Sequence, residues 1–520
     1  MVTIKLTELE QQICNLLEDV TRHIHEQDPS MPQLVLRIAG GWVRDKLLGH
    51  GSHDIDIAVD HMNGYELAQH VNKYLKAHDY PVRAIAKISQ NPERSKHLET
   101  ATTSVLGLSV DFVNLRSETY NSDSRIPQME FGTPLEDALR RDITINALFY
   151  NIHTRAVEDF TGKGLQDLEA GIVRTPLDPF RTFTDDPLRV LRVLRFASRF
   201  AYAVDPETVA AIRRPEIKRD LDAKISRERV GTEVDKMAAG PHPLLAIEMI
   251  VDYGLYNTIF RAPAHAVRWM ESSEAMESET RAVELTAHVL GLLEAEAEAE
   301  AEAEAESEDK QSRRDSIVAH LVPSTFDAKT LPQARRALVL AAYMYPFHAV
   351  SMVENNRVTH AVNAVVRHSI KLPSNDGTVT VALHKSAAAI AALAQKCLDN
   401  TVDRVSLGRL IRGAGAMWPV SVLFAAAVDM LSSNASLADV SCKYRAFVSS
   451  VVEFALTEAY GLKHIVDGKA AAAILGIEPG PVLKQVLDMI MDWQLRNPGG
   501  SQEDCEAYVA DTISKEISQQ

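Results

Sequence analysis

Apolar positions recur with two different periods along this chain, and the point where one gives way to the other divides it. Leu9, Ile13, Leu17, Val20 and Ile24 fall at helical spacing, preceded by Thr7 and Glu10 in capping-box register, which predicts an amphipathic N-terminal helix. From Leu34 to Tyr150 the pattern shortens to β-type runs with turns between them: LVLRIA (34–39), DIDIAV (54–59), LSVDFVNL (108–115) and the stretch from Ile145 to Asn151. Beyond Phe160 such runs become scarce and helical spacing dominates. Strands first and helices afterwards predict an α+β head followed by helical domains.

Two local signals interrupt the helical half. The alternating tract from Glu294 to Glu306 has period two, yet Glu and Ala are poor strand formers and the glutamates repel at i, i+4 in a helix, so a solvated insertion of frayed helix or coil is expected there. Gly480-Pro481 opens a helix with proline in its first turn, Asn497-Pro498-Gly499-Gly500 closes it, and Ser501 with Asp504 caps another.

Composition narrows the class without naming it. A chain of 520 residues, 46% hydrophobic and 24% charged, has the make-up of a globular protein of several domains. Four scattered cysteines, Cys14, Cys397, Cys442 and Cys505, contain no CxxC pair, which speaks against a disulfide framework or zinc cluster and fits a reducing compartment. The longest uncharged stretches, 337–353 and 413–428, are short and interrupted by Pro346 or Gly415 and Pro419, so no membrane span is expected. Glu8, Glu10, Glu18 and Asp19 precede the first arginine, Arg22, the wrong charge for a mitochondrial presequence. A cytoplasmic or nuclear location is therefore expected, with room for a mitochondrial form from another start site. Oligomeric state leaves no mark in the sequence.

The net charge of −16 argues against a nucleic-acid partner only until its distribution is read. The run 294–309 carries nine acids and no base, and without it the chain stands at −7. The segment 174–199 has six arginines against three aspartates. RNA remains an admissible partner.

The chemistry concentrates at carboxylates. Gly40-Gly41-Trp42-Val43-Arg44-Asp45 follows an apolar strand and starts a short helix: paired glycines let a ligand approach the backbone, a helix start offers free N–H groups to phosphate, and Arg44 adds a guanidinium. Taken alone this is equally a tight strand–helix turn with a surface arginine. Asp54 and Asp56, two residues apart on a strand, project from one face, while Ile55 and Ile57 point to the core. Adjacent carboxylates repel unless a cation holds them, and hard oxygen ligands suit Mg²⁺. Asp111, inside the apolar run Val110-Asp111-Phe112-Val113, supplies a third acid where a bare charge is costly. Together they describe a metal-assisted phosphoryl-transfer site.

Two arginine groups follow. Arg140-Arg141-Asp142, with Asn146 close behind, offers the permanently charged donors that a triphosphate needs, or a solvated pair of charges. In Asp185-Asp186-Pro187-Leu188-Arg189, Asp186 before Pro187 reads as a helix N-cap. Arg189, Arg192, Arg195 and Arg199 then line one face of the helix, as a solvated stripe or as a functional one. In the functional reading Asp186 accepts from the exocyclic amine of cytosine or adenine while Arg189 donates to the adjacent ring nitrogen, and uracil and guanine fit neither. Arg192 and Arg195 then face phosphate or RNA.

In order, GGWVRD, HDIDIA, SKHLETATT (95–103), VDFVNLR (110–116), FGTPLEDALRRDITINALFYN (131–151), DDPLRVLRVLRFASRF (185–200) and ISRERVGTEVDKM (225–237) resemble the class II CCA-adding tRNA nucleotidyltransferases, most of all the fungal-type branch. The resemblance is continuous from about residue 35 to 250 and weaker in the tail, 475–500. It implies a head with a mixed β-sheet and flanking helices, then an all-helical neck, body and tail: N-terminal helix 1–30, nucleotidyltransferase head 31–155, neck 156–250, body and tail 251–520. It implies addition of C, C and A to tRNA from CTP and ATP. Asp54, Asp56 and Asp111 then hold the catalytic metals, taken as Mg²⁺. Gly40, Gly41, Arg44, Asp45, Arg140, Arg141, Asp142 and Asn146 serve the nucleotide. Asp186 and Arg189 act as a protein template, with Arg192 and Arg195 beside them. Ser226, Arg229 and Glu233 fall in the motif that stabilises the neck, and Asp185 stands where many relatives have glutamate. The rival activities are a poly(A) polymerase, a partial CC- or A-adding enzyme, and a catalytically silent RNA-binding scaffold.

Overall fold

A computed structural model describes residues 3–52, 54–88, 100–121, 124–261, 268–269, 277–305, 330–354 and 356–513. The first part of the SKHLETATT loop, 95–99, lies outside them, as does the end of the acidic run from 306 to 309.

Helix α1 (Glu8–Gln27) forms where the periodicity places it, its capping box closed by Thr7 and Glu10. Ile13, Leu17, Val20 and Ile24 are buried. Glu10 does more than cap: it accepts from Lys46 Nζ at 2.7 Å and from Trp42 Nε1 at 3.3 Å, tying α1 to α2 (Gly41–Leu47).

The head is a seven-stranded mixed sheet. Its strands are β1 (Leu36–Ala39), β2 (Ile55–Val59), β3 (Ala86–Ile88), β4 (Thr100–Val105), β5 (Leu108–Asn114), β8 (Phe149–Asn151) and β9 (Ala156–Glu158), in the order β3-β4-β5-β2-β1-β8-β9. Only β2 and β5 run parallel; the other neighbours are antiparallel. The parallel pair needs a crossover, and α3 (Gly64–Ala77) provides its helix. Gly64 opens α3 against β5 so closely that a Cβ there would stand 2.2 Å from the Phe112 carbonyl oxygen. A separate hairpin, β6 (Arg116–Asn121) with β7 (Ser124–Phe131), leads into α4 (Pro134–Leu139). Residues expected as strand near Ile145 instead form a 3-10 turn over Thr144–Asn146, and β8 begins only at Phe149.

Downstream come α5 (Gly164–Ala170), α6 (Pro179–Asp185), α7 (Leu188–Phe200), α8 (Pro206–Ile212), α9 (Pro215–Lys224) and α10 (Arg227–Ala238). The remainder is mostly helical, with two small sheets: Ile172–Val173 beside Ala203–Val204, and a three-stranded one over 268–269, 351–354 and 357–360. β-branched Val353, Val358 and Thr359 account for the second, where a helix would restrict their side chains. The chain divides into two compact units, 1–261 with 369–371, and 262–368 with 372–520. The residues expected as head and neck fall in the first of these units.

The alternating Glu–Ala tract resolves in favour of helix as far as Ala305, continuing a helix that starts at Thr280 and buries Ala282, Leu285, Val289 and Leu292. Packing of that first half supplies the nucleus, and alanine propensity extends it. Two stretches of the second unit, Ser374–Leu398 and Arg404–Ser433, have the length and apolarity of membrane spans. Both contribute to the hydrophobic core of that unit through Leu383, Ile390, Leu407 and Phe424, the behaviour of core helices. The helices starting at Pro481 and Gln502 form as expected, the latter with a Ser501–Asp504 capping box.

Candidate active site

Strand alternation builds the centre of the site. Ile55 and Ile57 are buried on one face of β2, leaving Asp54 and Asp56 on the other. On β5, Asp111 stands in parallel register with Asp56, and Thr102 of β4 stands in register with Asp111, so a hydroxyl follows the two carboxylates along one row. Neighbouring strands lie about 4.8 Å apart. Asp56 reaches solvent yet sits within the mass of the head. Burial and the Asp111 carboxylate, with a smaller contribution from Asp54, raise its pKa to about 6 against the pull of Arg141. Two like charges forced side by side are the situation that a hard cation relieves. Among the described residues no three His, Cys, Asp or Glu side chains are grouped closely enough to cage an ion unaided. The donor set suits a hard divalent cation bound through one or two carboxylates, its shell completed by substrate phosphate and water.

Gly40 and Arg141 close one side. Gly40 has φ +72°, and a Cβ there would meet Arg141 Nη1 at 2.6 Å and the Asn146 carbonyl oxygen at 3.3 Å. Gly40→Ala is expected to cost about 1–3 kcal/mol from backbone strain alone and to push Arg141 aside, a loss readable as a lower Tm. Arg141 donates from Nη1 to the Asn146 carbonyl at 3.0 Å and from Nη2 to Asp137 Oδ2 at 2.9 Å, lying over the Phe149 ring. Arg140 donates from Nε to Asp137 Oδ1 at 2.8 Å. Asp137, 1% exposed, thus orients both arginines. Burial alone would raise its pKa, but Arg141 and Arg140 hold it below the usual range.

Four residues expected at the nucleotide, Arg44, Asp45, Asp142 and Asn146, are buried in the free protein. Arg44, 3% exposed, donates to Asp45 Oδ1 at 2.9 Å and to the Asn146 side-chain oxygen, under the rings of Phe196 and Phe200. Asp142 accepts from Ile143 N–H at 2.9 Å, from Asn146 Nδ2 at 3.2 Å and from Arg192 Nε at 2.7 Å. Arg44, Asp45, Asp142 and Asn146 therefore brace one another inside the protein. The reason is local: α2 is only two turns long, and position 44 falls on its buried side.

The arginines of α7 are ion-paired, and Arg192 and Arg199 keep solvent contact as well, their side chains 34% and 44% exposed. Arg189 faces Glu118 of β6 at 3.6 Å, Arg192 pairs with Asp142, Arg195 with Glu233 of α10, and Arg199 with Asp45 at 3.5 Å. Ion pairs thus lace α7 to the head and to the neck. Arg192 and Arg195, expected toward phosphate or RNA, take part in this lacing in the free protein, with Glu233 as the partner of Arg195. Helix α7 starts at Leu188 with Pro187 as its N-cap; Asp186, one residue earlier, still accepts from Leu188 N–H at 3.2 Å. The other Asp186 oxygen accepts from Arg229 Nη2 at 3.1 Å, so a residue expected to be purely structural touches the proposed base-reading acid.

Sequence reasoning missed Asp137, Glu118 and Thr102. Asp137 was within reach, because it precedes Arg140 and Arg141 by three and four residues on a helix. Thr102 and Glu118 carry no local signal; only strand pairing and the β6–β7 hairpin bring them in.

The pattern of the poly A polymerase head domain matches residues 36–174, and that of a probable RNA- and SrmB-binding site of polymerase A matches 201–267. The chain is 38% identical to the mitochondrial CCA tRNA nucleotidyltransferase of Saccharomyces cerevisiae over 98% of its own length and 94% of that protein. It is 34% identical to the tRNA nucleotidyltransferase cca1 of Schizosaccharomyces pombe over 99% of its length and 98% of that protein. The relationship therefore extends beyond 35–250 and 475–500, the segments that carry the resemblance in the sequence, to nearly the whole chain. Among solved structures, an apo CCA-adding enzyme superposes with a TM-score of 0.61 at 18% identity, covering the whole of both chains. A CCA-adding enzyme of Thermotoga maritima in complex with tRNA gives 0.57 at 17% identity, covering 99% of this chain and 100% of that one.

Proposed function

This chain belongs to the family of CCA tRNA nucleotidyltransferases, and from that premise we propose that it adds C, C and A to the 3′ end of tRNA from CTP and ATP, without a nucleic-acid template and with release of pyrophosphate. The observation that carries the reading is the in-register pair Asp56 and Asp111, beside Gly40 and Arg141. A silent RNA-binding scaffold has no use for two carboxylates side by side, one with a pKa raised by burial and by its neighbour.

Asp56 and Asp111, with Asp54 on the same strand face, would hold the divalent cation, taken as Mg²⁺. When bound, such an ion lowers the pKa of an attacking hydroxyl and offsets charge on a triphosphate. Arg140 and Arg141, pre-set by Asp137, supply fixed positive charge to the phosphates as the tRNA 3′-hydroxyl attacks the α-phosphate. Because Asp137 has already fixed their rotamers, little side-chain entropy is lost on binding. Asp186 and Arg189 read the base: the carboxylate accepts from the amine of C or A, and the guanidinium donates to the adjacent ring nitrogen.

Activity at sub-saturating cation is expected to rise with pH through about 6, as Asp56 ionises, and then to level. Asp56→Glu should move that limb, and a profile flat from pH 5 to 7 would remove Asp56 from the cation site. The products decide between full CCA addition and its rivals. Given tRNA lacking its 3′ end and all four nucleoside triphosphates, sequencing should show a single CCA. Long A-tails would mean a poly(A) polymerase, and CC or A alone a partial enzyme.

The Saccharomyces cerevisiae relative carries a mitochondrial name, and we infer a mitochondrial form beside a cytoplasmic or nuclear one. Fractionation of cells expressing the tagged full-length protein tests it: absence from mitochondria would overturn it.

A further inference from the structure

One buried carboxylate faces three guanidinium groups drawn from three parts of the chain. Glu118, on β6, has a side chain 5% exposed. Arg140 Nη1 stands 3.0 Å from its Oε1, Arg116 Nε 3.3 Å from the same oxygen, and Arg189 Nη2 3.6 Å from Oε2. Arg116 belongs to the same strand, Arg140 follows α4 among the phosphate-facing arginines, and Arg189 is on α7. The surrounding charges are dense. Burial and Arg140 lower the Arg116 pKa, and the neighbouring Asp185 carboxyl is raised by burial, with Glu118 adding to the rise against Arg189 and Arg181. Asp137 and Arg141 complete the group.

We propose that Glu118 is a specificity-positioning residue: by drawing one end of the Arg189 guanidinium toward its buried carboxylate, an ion pair at 3.6 Å, it biases the direction in which the rest of that guanidinium meets the incoming base. The inference rests on Asp186 and Arg189 reading the base. Cytosine and adenine present a ring-nitrogen acceptor beside the amine, whereas uracil and guanine present an N–H there and an oxygen acceptor next to it. A pinned guanidinium opposes that N–H and rejects the base. A guanidinium free to swing on its flexible stem reaches the neighbouring oxygen and accepts it. Selectivity therefore depends on Arg189 being held still, and the acid that holds it also touches Arg140, on the triphosphate side.

The test is single-nucleotide incorporation by the full chain on tRNA lacking its CCA end, with CTP and UTP compared as kcat/KM. Wild type, Glu118→Gln, Glu118→Asp and Arg189→Ala are run together. In Glu118→Gln the CTP-to-UTP ratio is expected to fall at least about tenfold, mainly through faster UTP use, with Glu118→Asp recovering part of the ratio. Equal loss with CTP and UTP would reduce Glu118 to a structural group and overturn the proposal. So would an unchanged ratio in both Glu118 variants while Arg189→Ala loses selectivity, an outcome that leaves the base-reading pair standing. Retained selectivity in Arg189→Ala would sink that pair and this inference with it. If Glu118→Gln does not fold, Glu118→Asp decides alone, since its ratio either drops below wild type or does not.

Discussion

Replacing Asp56 by asparagine is expected to lower CCA incorporation by at least about a thousandfold while tRNA binding persists. The amide keeps the shape of the side chain and removes the charge that, paired with Asp111 across two parallel strands, would hold the cation. Each loss of 1.36 kcal/mol in transition-state stabilisation is tenfold in rate, and a lost metal ligand costs several times that. RNA affinity depends on phosphate contacts spread over the molecule, so a filter-binding assay should hardly change. The same substitution should stabilise the metal-free protein. Asp56 has a folded pKa of about 6 against 3.8 for the ordinary group, so the folded state keeps its proton where the unfolded chain has lost it. The Asp56 contribution to stability is thus greatest at low pH and declines as pH rises from near 4 through about 6. At pH 7.5 Asp56→Asn removes that penalty. After discounting for solvent contact the gain is on the order of 1 kcal/mol, roughly 2–4 °C in a melt without divalent ions. Lost turnover together with raised Tm marks a residue kept for chemistry; unchanged turnover would dismiss it.

The second large effect is on selectivity. Asp186→Ala and Arg189→Ala should each raise misincorporation of UTP or GTP relative to CTP and ATP by about a hundredfold or more, because a site built to pair an amine and a ring acceptor rejects other bases through unpaired polar groups. Phosphoryl transfer should survive in both variants, since neither residue shares the row formed by Asp56, Asp111 and Thr102. In the free protein Asp186 accepts from Arg229 and from Leu188 N–H, and Arg189 faces Glu118. The base must therefore win these groups from existing partners, and Arg229→Ala should alter the KM for nucleotide more than the choice between nucleotides. Competition assays with mixed triphosphates measure both, and strict C and A selectivity in the Asp186 and Arg189 variants would remove the template reading.

Much of the site was legible because its chemistry is local. A two-residue strand period puts Asp54 and Asp56 on one face with Ile55 and Ile57 behind them, and an acid inside Val110-Asp111-Phe112 stands out against its surroundings. The capping boxes at Thr7–Glu10 and Ser501–Asp504 and the proline-started helix at Pro481 are equally local, and all form. What the sequence could not reveal is which acid each arginine meets. Arg44 pairs with its neighbour Asp45, but Arg192 and Arg195 meet Asp142 and Glu233 from distant elements, and Arg140 meets Glu118 of the hairpin, so only the fold shows these pairings. Glu118 escaped notice for the same reason: it sits in a polar hairpin, SETYN, whose meaning depends on where α7 passes.

Cation binding by the two in-register carboxylates is the claim beneath all of this. Mn²⁺ can be followed by its electron paramagnetic resonance signal as it is titrated into the full chain with a non-reacting CTP analogue. Wild type should bind Mn²⁺, and Asp56→Asn combined with Asp111→Asn should lose at least about tenfold in affinity while still binding tRNA. Identical Mn²⁺ titrations for the wild type and the double variant would contradict the account.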